Sequence, residues 1–212
     1  MVSVLSAEFA FSVAAGIVTL FVILDPIGVL PFFQALTRGI TQEQRRNVAK
    51  RSVLIAMGLL LVFAYLGEVI LVLLGITIYD FQIAGGALLL VFAIRDALSN
   101  EPLGMTESEA AISKSPRAFE TIAIIPLATP LLAGPGSLTT VILLASERLG
   151  PVIVGIAILV DCGLAFAALR LSERMNKYVG PSGLLIIGKV MDILMAAIAV
   201  SYLVKGIAGV GL

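Results

Sequence analysis

The sequence predicts an all-α membrane protein with six transmembrane helices, arranged as two inverted repeats of three helices whose first helices are each broken. Three observations predict this class. Apolar residues make up 59% of the 212 residues and charged residues only 13%. Soluble domains have about 45–50% and about 25%, respectively. Long apolar runs follow one another along the chain, and basic residues are concentrated in alternate loops between them.

Six apolar runs define the predicted spans, since a helix needs about 20 residues to cross the hydrocarbon core. The runs lie near 9–36, 48–74, 81–95, 118–145, 152–171 and 183–207. The third run is short by this measure, so its helix is expected either to continue through Asp96 towards Leu98 or to lie where the path across the membrane is thin. Its Ala84-Gly85-Gly86 segment favours close packing of helices, and lining of a substrate path is the alternative.

The basic residues predict the orientation. Eleven of the 14 Lys and Arg residues lie in the loops after the first, third and fifth spans. They are Arg38, Arg45, Arg46, Lys50, Arg51, Arg95, Lys114, Arg117, Arg170, Arg174 and Lys177. Because basic loops remain in the cytoplasm, both termini are expected outside.

Two halves with the same layout predict an internal repeat. Repeat 1 covers 1–98, a cytoplasmic connector covers 99–117, and repeat 2 covers 118–212. The first span of each half is interrupted, near 25–31 and near 129–137. Three spans are an odd number, so the second half must enter the membrane from the opposite side, as in inverted-repeat transporters. The alternative is that any six-helix chain can be divided into threes.

The interruptions are rich in proline and glycine, which break helices and survive in lipid only where protein or water covers them. Asp25-Pro26 and Gly134-Pro135 both resemble helix starts, with a cap residue followed by proline. The first run then divides into two half-helices, about 9–24 and about 26–37. Facing half-helix N-termini form a cradle for a small carboxylate substrate, whereas two structural kinks are the alternative reading. The predicted substrate-binding residues are Asp25, Pro26, Gly28, Thr129, Gly134, Pro135, Gly136 and Ser137.

Charged residues inside apolar runs are rare and mark candidate functional positions. Asp25 is either a cap or a proton-coupling carboxylate, and Asp161 in the fifth run is a second coupling candidate. Lys189 and Asp192 stand three residues apart, the spacing of a structural ion pair on a helix. Glu68 is expected near the outer interface, where water solvates it.

The remaining composition excludes several kinds of chemistry. The formal net charge is zero, so nothing favours a nucleic-acid partner. The chain contains no His and a single Cys, Cys162, which excludes histidine acid–base chemistry and His or Cys metal clusters. No catalytic residue, metal site or cofactor is predicted.

Four segments together resemble one family. They are Asp25-Pro26-Ile27-Gly28, Ala84-Gly85-Gly86, the Pro- and Gly-rich stretch 125–137, and 196–200. This combination resembles the MarC family, which includes transporters of small neutral amino acids. The resemblance implies a multi-pass protein of a prokaryotic inner membrane that carries glycine- or alanine-like substrates at the two broken helices. Asp192 stands where the family pattern has glycine, so no role is carried over to the last span.

The leading functional hypothesis is a secondary transporter, coupled to protons or sodium ions, whose partners are an amino acid and the lipid bilayer. A channel or exporter for another small metabolite is the alternative. An intramembrane enzyme is a third reading, because Asp25 and Asp161 leave an aspartyl protease open. We expect no enzymatic activity, since no nucleophile–base pair is present.

Overall fold

The computed structural model describes residues 2–37, 39–98, 127–147 and 150–211, and all regular secondary structure within these ranges is helical. The elements are α1 (Val2–Leu24), α2 (Val29–Leu36), α3 (Gln42–Leu74), α4 (Ile78–Leu98), a π-helical turn (Leu127–Leu132), α5 (Pro135–Ala145) and a helical stretch over Gly150–Val210. The all-α class is thus confirmed for these residues. The predicted connector 99–117 and the start of the fourth predicted span lie outside them.

The helical stretch Gly150–Val210 is interrupted at Gly180, which has φ 74° and ψ 164°. This left-handed φ suits glycine, which has no Cβ to clash with the backbone. The interruption gives two long helices, α6 (Gly150–Met175) and α7 (Ser182–Val210).

Four of the described helices are long and apolar enough to cross a membrane, namely α3, α4, α6 and α7. The shorter apolar helices Glu8–Leu24 and Pro135–Ala145 belong to the first and fourth predicted spans, which are the two with a predicted break. Large apolar side chains also cover the outer surface, and Leu73 is 80% exposed. Such a surface suits a lipid environment rather than water.

Helix α3 begins where its sequence supplies a capping box. The N–H of Gln44 donates to Thr41 Oγ1 at 3.3 Å, and the N–H of Thr41 donates to Gln44 Oε1 at 3.0 Å. Two otherwise unpaired backbone donors are satisfied in this way. The helix therefore starts at Gln42, six residues before the apolar run that predicts it.

Helices α3 and α6 pack in antiparallel fashion. Near one end, Arg45 forms an ion pair with Glu173, and its guanidinium also lies 5.5 Å from the ring centroid of Phe33. Near the other end, the Tyr65 hydroxyl donates to the carbonyl of Pro151 at 3.0 Å. These contacts fix the register of the two helices.

Helices α4 and α7 are a second antiparallel pair, and glycines allow their backbones to approach closely. A Cβ at Gly86 would lie 2.9 Å from the carbonyl oxygen of Ala199. A Cβ at Gly206 would lie 3.1 Å from the carbonyl oxygen of Tyr79. Gly85 is buried against Thr139 of α5. The Gly85-Gly86 segment therefore serves helix packing, as the sequence predicts.

The buried apolar side chains form two clusters that meet at the end of α1. The larger cluster joins α1, α2, α3, the π-helical turn, α5, α6 and the start of α7, and it contains Leu24 and Ala133. The smaller cluster joins α1, α4 and α7, and it contains Ile23 and Leu89. The break after Leu24 therefore lies where both halves of the core come together.

Candidate functional site

The first break separates α1 from α2. The N–H of Asp25 donates to the carbonyl of Phe21 at 3.0 Å and completes α1, and Asp25 then takes a φ of 38°. Its Oδ1 accepts a hydrogen bond at 3.0 Å from the N–H of Gly28. Asp25 therefore caps the start of α2, as one of its two predicted roles requires. Residues 26–28 form a turn in which the N–H of Val29 donates to the carbonyl of Asp25 at 3.1 Å. The regular helix α2 begins at Val29, three residues after the approximate start that the sequence predicts.

The second break lies between the π-helical turn and α5. Thr129 is extended, with φ −145° and ψ 122°, and the N–H of Ala133 reaches back five residues to the carbonyl of Ala128 at 2.8 Å. Gly134 is the N-cap of α5, and Pro135 is its first residue. The predicted cap–proline start of this half-helix is confirmed.

The two half-helices differ in how their first turns are satisfied. The N-terminus of α2 carries the carboxylate of Asp25, whereas α5 begins at Gly134 with no side-chain cap. A helix N-terminus bears a partial positive charge and unpaired N–H groups. The first turn of α5 therefore has no side-chain acceptor from the cap residue, whereas the turn before α2 has one.

The side chain of Ser137 forms hydrogen bonds to the backbone at the second break. Its hydroxyl lies 2.9 Å from the carbonyl oxygen of Leu132 and 3.0 Å from that of Gly134, and it is 2% exposed. The carbonyl of Gly134 also accepts from the N–H of Leu138 at 3.0 Å, so the Ser137 hydroxyl adds a donor chiefly for the carbonyl of Leu132 at the break. A carbonyl freed by a helix break must find such a partner in lipid. Its role in substrate binding stays a prediction.

The two breaks lie against each other, with α4 and α7 beside them. A Cβ at Gly136 would lie 3.4 Å from Cγ2 of Ile23, two residues before Asp25, and would also contact Leu89 of α4. A Cβ at Gly188 of α7 would lie 3.9 Å from Cα of Gly28. The predicted residues of both interruptions are thereby brought into one region, although the side chain of Thr129 is exposed.

A buried hydrogen-bonded chain ties α7 to the second break. The Tyr202 hydroxyl donates to Thr140 Oγ1 at 3.2 Å, and Thr140 Oγ1 donates to the carbonyl of Gly136 at 2.8 Å. Sequence reasoning missed both side chains. Each of them is a polar group within an apolar run, and this feature could have identified it. Thr140 also stands one helical turn after Gly136, where its hydroxyl can reach the backbone carbonyl.

Several charged side chains lie near the first break. Asp25 interacts electrostatically with Asp96 and Asp192. We call these three carboxylates the acidic cluster. Lys189 donates a hydrogen bond to the backbone carbonyl of Asp96 near the end of α4 and interacts with the charge of Asp192. Lys189 therefore interacts with Asp96 as well as with its predicted partner Asp192. The sequence analysis placed Asp96 only near the end of a span.

Asp161 lies apart from these charges, in the middle of α6. Its side chain is 1% exposed, and neither carboxylate oxygen has a hydrogen-bond partner. Its neighbours Ile158 and Cys162 belong to the same apolar cluster as Leu24 and Ala133, which adjoin the two breaks. The second predicted coupling residue is therefore a carboxyl group enclosed by apolar side chains.

Comparison with known proteins agrees with this architecture. The family model described as MarC family integral membrane protein matches residues 10–210. The chain is 37% identical to UPF0056 membrane protein MJ1677 of Methanocaldococcus jannaschii, over 90% of this chain and 93% of that protein. It is 36% identical to a UPF0056 membrane protein of Archaeoglobus fulgidus, over 92% and 91% of the two chains. UPF0056 membrane protein YhcE of Escherichia coli is 28% identical over 90% of this chain and 89% of its own. No solved structure matches the chain significantly. The chain belongs to the MarC family of integral membrane proteins.

Proposed function

We propose that the chain is a secondary transporter that moves small neutral amino acids of the glycine and alanine type across a prokaryotic inner membrane. The substrate occupies the region between the two helix breaks, and its carboxylate lies at the uncapped N-terminus of α5. Residues of the two interruptions surround it.

One observation carries this proposal, namely the contact between two broken helices of which only one has a side-chain cap. Paired interrupted spans are typical of transporter binding sites. The N-terminus of α5 supplies backbone N–H donors for a carboxylate. Gly134 and Gly136 have no side chain, so a small ligand can approach these donors closely. A substrate with little or no side chain fits these features.

The inverted repeat belongs to the same proposal. Its two-fold relation requires equivalent helices of the two halves to run in opposite directions. The antiparallel packing of α3 against α6 and of α4 against α7 supports it. With basic loops in the cytoplasm, the Arg45–Glu173 contact lies at the inner face and both termini lie outside.

Transport against a gradient requires a coupling ion, and protons or sodium ions are the proposed partners. Asp25 and Asp161 are the carboxylates of the described spans that sequence analysis offers for this role. No ATP-binding motif such as a P-loop is present in this sequence, so ATP-driven transport would need a separate subunit.

Counterflow in proteoliposomes tests the proposal. Vesicles that contain the purified protein and unlabelled glycine should accumulate labelled glycine transiently from outside, because a carrier exchanges substrate without net driving force. A channel gives simple equilibration without the transient, which would favour the alternative reading. A parallel peptide-cleavage assay tests for intramembrane proteolysis, and cleavage would contradict the proposal.

A further inference from the structure

Asp161 is the most isolated ionisable group in the described part of the chain. Both of its oxygens are inaccessible to solvent, and neither accepts or donates a hydrogen bond. An ionised carboxylate without donors in an apolar interior is strongly unfavourable, whereas the neutral acid is much less so. A proton or a cation must therefore accompany this group in the present conformation.

The surroundings of Asp161 decide between these two companions. The positions one turn away on α6 are Ala157 and Ala165, both buried and without side-chain oxygen. On α3, the register set by the Tyr65–Pro151 and Arg45–Glu173 contacts places buried Ala56 level with Asp161. A hard metal cation such as Na⁺ requires several oxygen ligands. On α3 and α6 the one further side-chain oxygen near this level is Ser52 Oγ, which is buried without a hydrogen-bond partner one turn from Ala56. These two groups supply fewer oxygens than such a cation requires, whereas a proton requires no further ligand.

Charged and titratable groups on the packed helices do not compensate Asp161. On α6 itself, Cys162 is the adjacent titratable group. On α3, Arg51 and Glu68 are exposed, and Tyr65 is bonded to Pro151. Helices α2 and α5 contain no titratable residue. The acidic cluster and Lys189 interact with one another, and none of the described charges acts on Asp161.

From this geometry we infer that Asp161 is the proton-binding site of the protein and that Asp25 serves as a structural cap. This inference rests on the proposed transport function for its coupling role. In the present conformation an O–H bond joins the proton to one carboxylate oxygen. When a second conformation admits water to α6, that bond breaks, the proton passes to water, and the carboxylate is left solvated. Accumulation of substrate then follows the proton gradient.

Infrared spectroscopy tests proton binding without any transport assay. The protein in lipid at neutral pH should show the carbonyl stretch of a neutral carboxylic acid in a low-polarity environment. Asp161→Asn should remove this band, whereas Glu68→Gln, which alters an exposed carboxylate, should leave it. Persistence of the full band in Asp161→Asn, or its absence from the unmodified protein, would overturn the assignment.

Transport measurements test the coupling role separately. Asp161→Asn matches the shape of the neutral acid, so it should retain glycine counterflow but lose accumulation driven by a pH gradient. Asp161→Leu, which removes the unpartnered polar atoms and should also fold, is expected to lose accumulation as well. If accumulation persists in either variant, Asp161 does not couple transport. If the unmodified protein shows no counterflow, the proposed function fails, while the infrared result still decides the proton site.

Discussion

Oδ1 of Asp25 accepts a hydrogen bond from the N–H of Gly28 at 3.0 Å, so a single carboxylate bridges the break between α1 and α2. Asp25 also has a φ of 38°, a conformation that Asp and Asn adopt more readily than other non-glycine residues. The position therefore demands a short polar side chain for two reasons, the hydrogen bond and the backbone.

Substitution at Asp25 should separate capping from charge. Asp25→Asn retains a capping oxygen and the tolerated backbone conformation, so its stability should stay close to that of the unmodified protein. Asp25→Leu should lower the free energy of unfolding by about 0.5–2 kcal/mol through loss of the cap. Thermal unfolding in detergent measures both variants.

The coupling behaviour of Asp25→Asn provides the complementary test. If Asp25 acts only as a cap, the ratio of pH-driven accumulation to counterflow should stay unchanged in this variant, even if both rates decrease. A decrease of this ratio in the Asn variant would show that Asp25 itself changes protonation during transport.

Close packing at the second break makes Gly136 a sensitive position. A Cβ there would contact Leu89, which is 2% exposed, and would approach Ile23 to 3.4 Å. Gly136→Ala should therefore reduce glycine counterflow moderately, and Gly136→Leu should abolish it. Leu89→Ala alone should destabilise the fold by about 2–5 kcal/mol, because it leaves a cavity.

The double variant Gly136→Ala/Leu89→Ala controls for this contact. Since the two side chains compete for the same volume, their effects on stability should be less than additive. Strict additivity in thermal unfolding would mean that Gly136 and Leu89 do not share a packing site.

Much of the architecture was predictable because it depends on local sequence. The apolar runs locate α3, α4, α6 and α7, and the Gly134-Pro135 pair locates the start of α5 correctly. The Asp25-Pro26 pair locates the capped turn that leads into α2, whereas the regular helix begins three residues later, at Val29. The Tyr202–Thr140 bond and the approach of Asp96 to Lys189 depend on residues 62 and 93 positions apart. Such pairings follow from helix packing, which a single sequence does not reveal.

The orientation of the chain can be tested by cysteine accessibility. The single native cysteine, Cys162, is buried and 3% exposed, so it should give little background labelling. Exposed positions Arg46 and Lys177, each replaced by Cys, should react with an impermeant maleimide only in inside-out vesicles. Ile76→Cys, at the opposite end of α3, should react only in intact cells. Labelling of Arg46→Cys or Lys177→Cys from outside intact cells would contradict the proposed inverted topology.

Lys189 provides the last test, because its ammonium lies close to both Asp96 and Asp192 of the acidic cluster. Its ammonium donates to the carbonyl of Asp96 and interacts with the charge of Asp192, which is 5% exposed. Lys189→Met should lower the free energy of unfolding by about 3–5 kcal/mol, because it leaves the buried carboxylate of Asp192 without its positively charged partner, although Arg95 still acts on Asp96. Adding Asp192→Leu to Lys189→Met should recover part of this loss, since the double variant removes both charges. Thermal unfolding of the two single variants and the double variant forms a complete cycle. If the double variant is as unstable as the sum of the single ones, Lys189 stabilises the fold through Asp96 alone, and the predicted Lys189–Asp192 pair has no structural role.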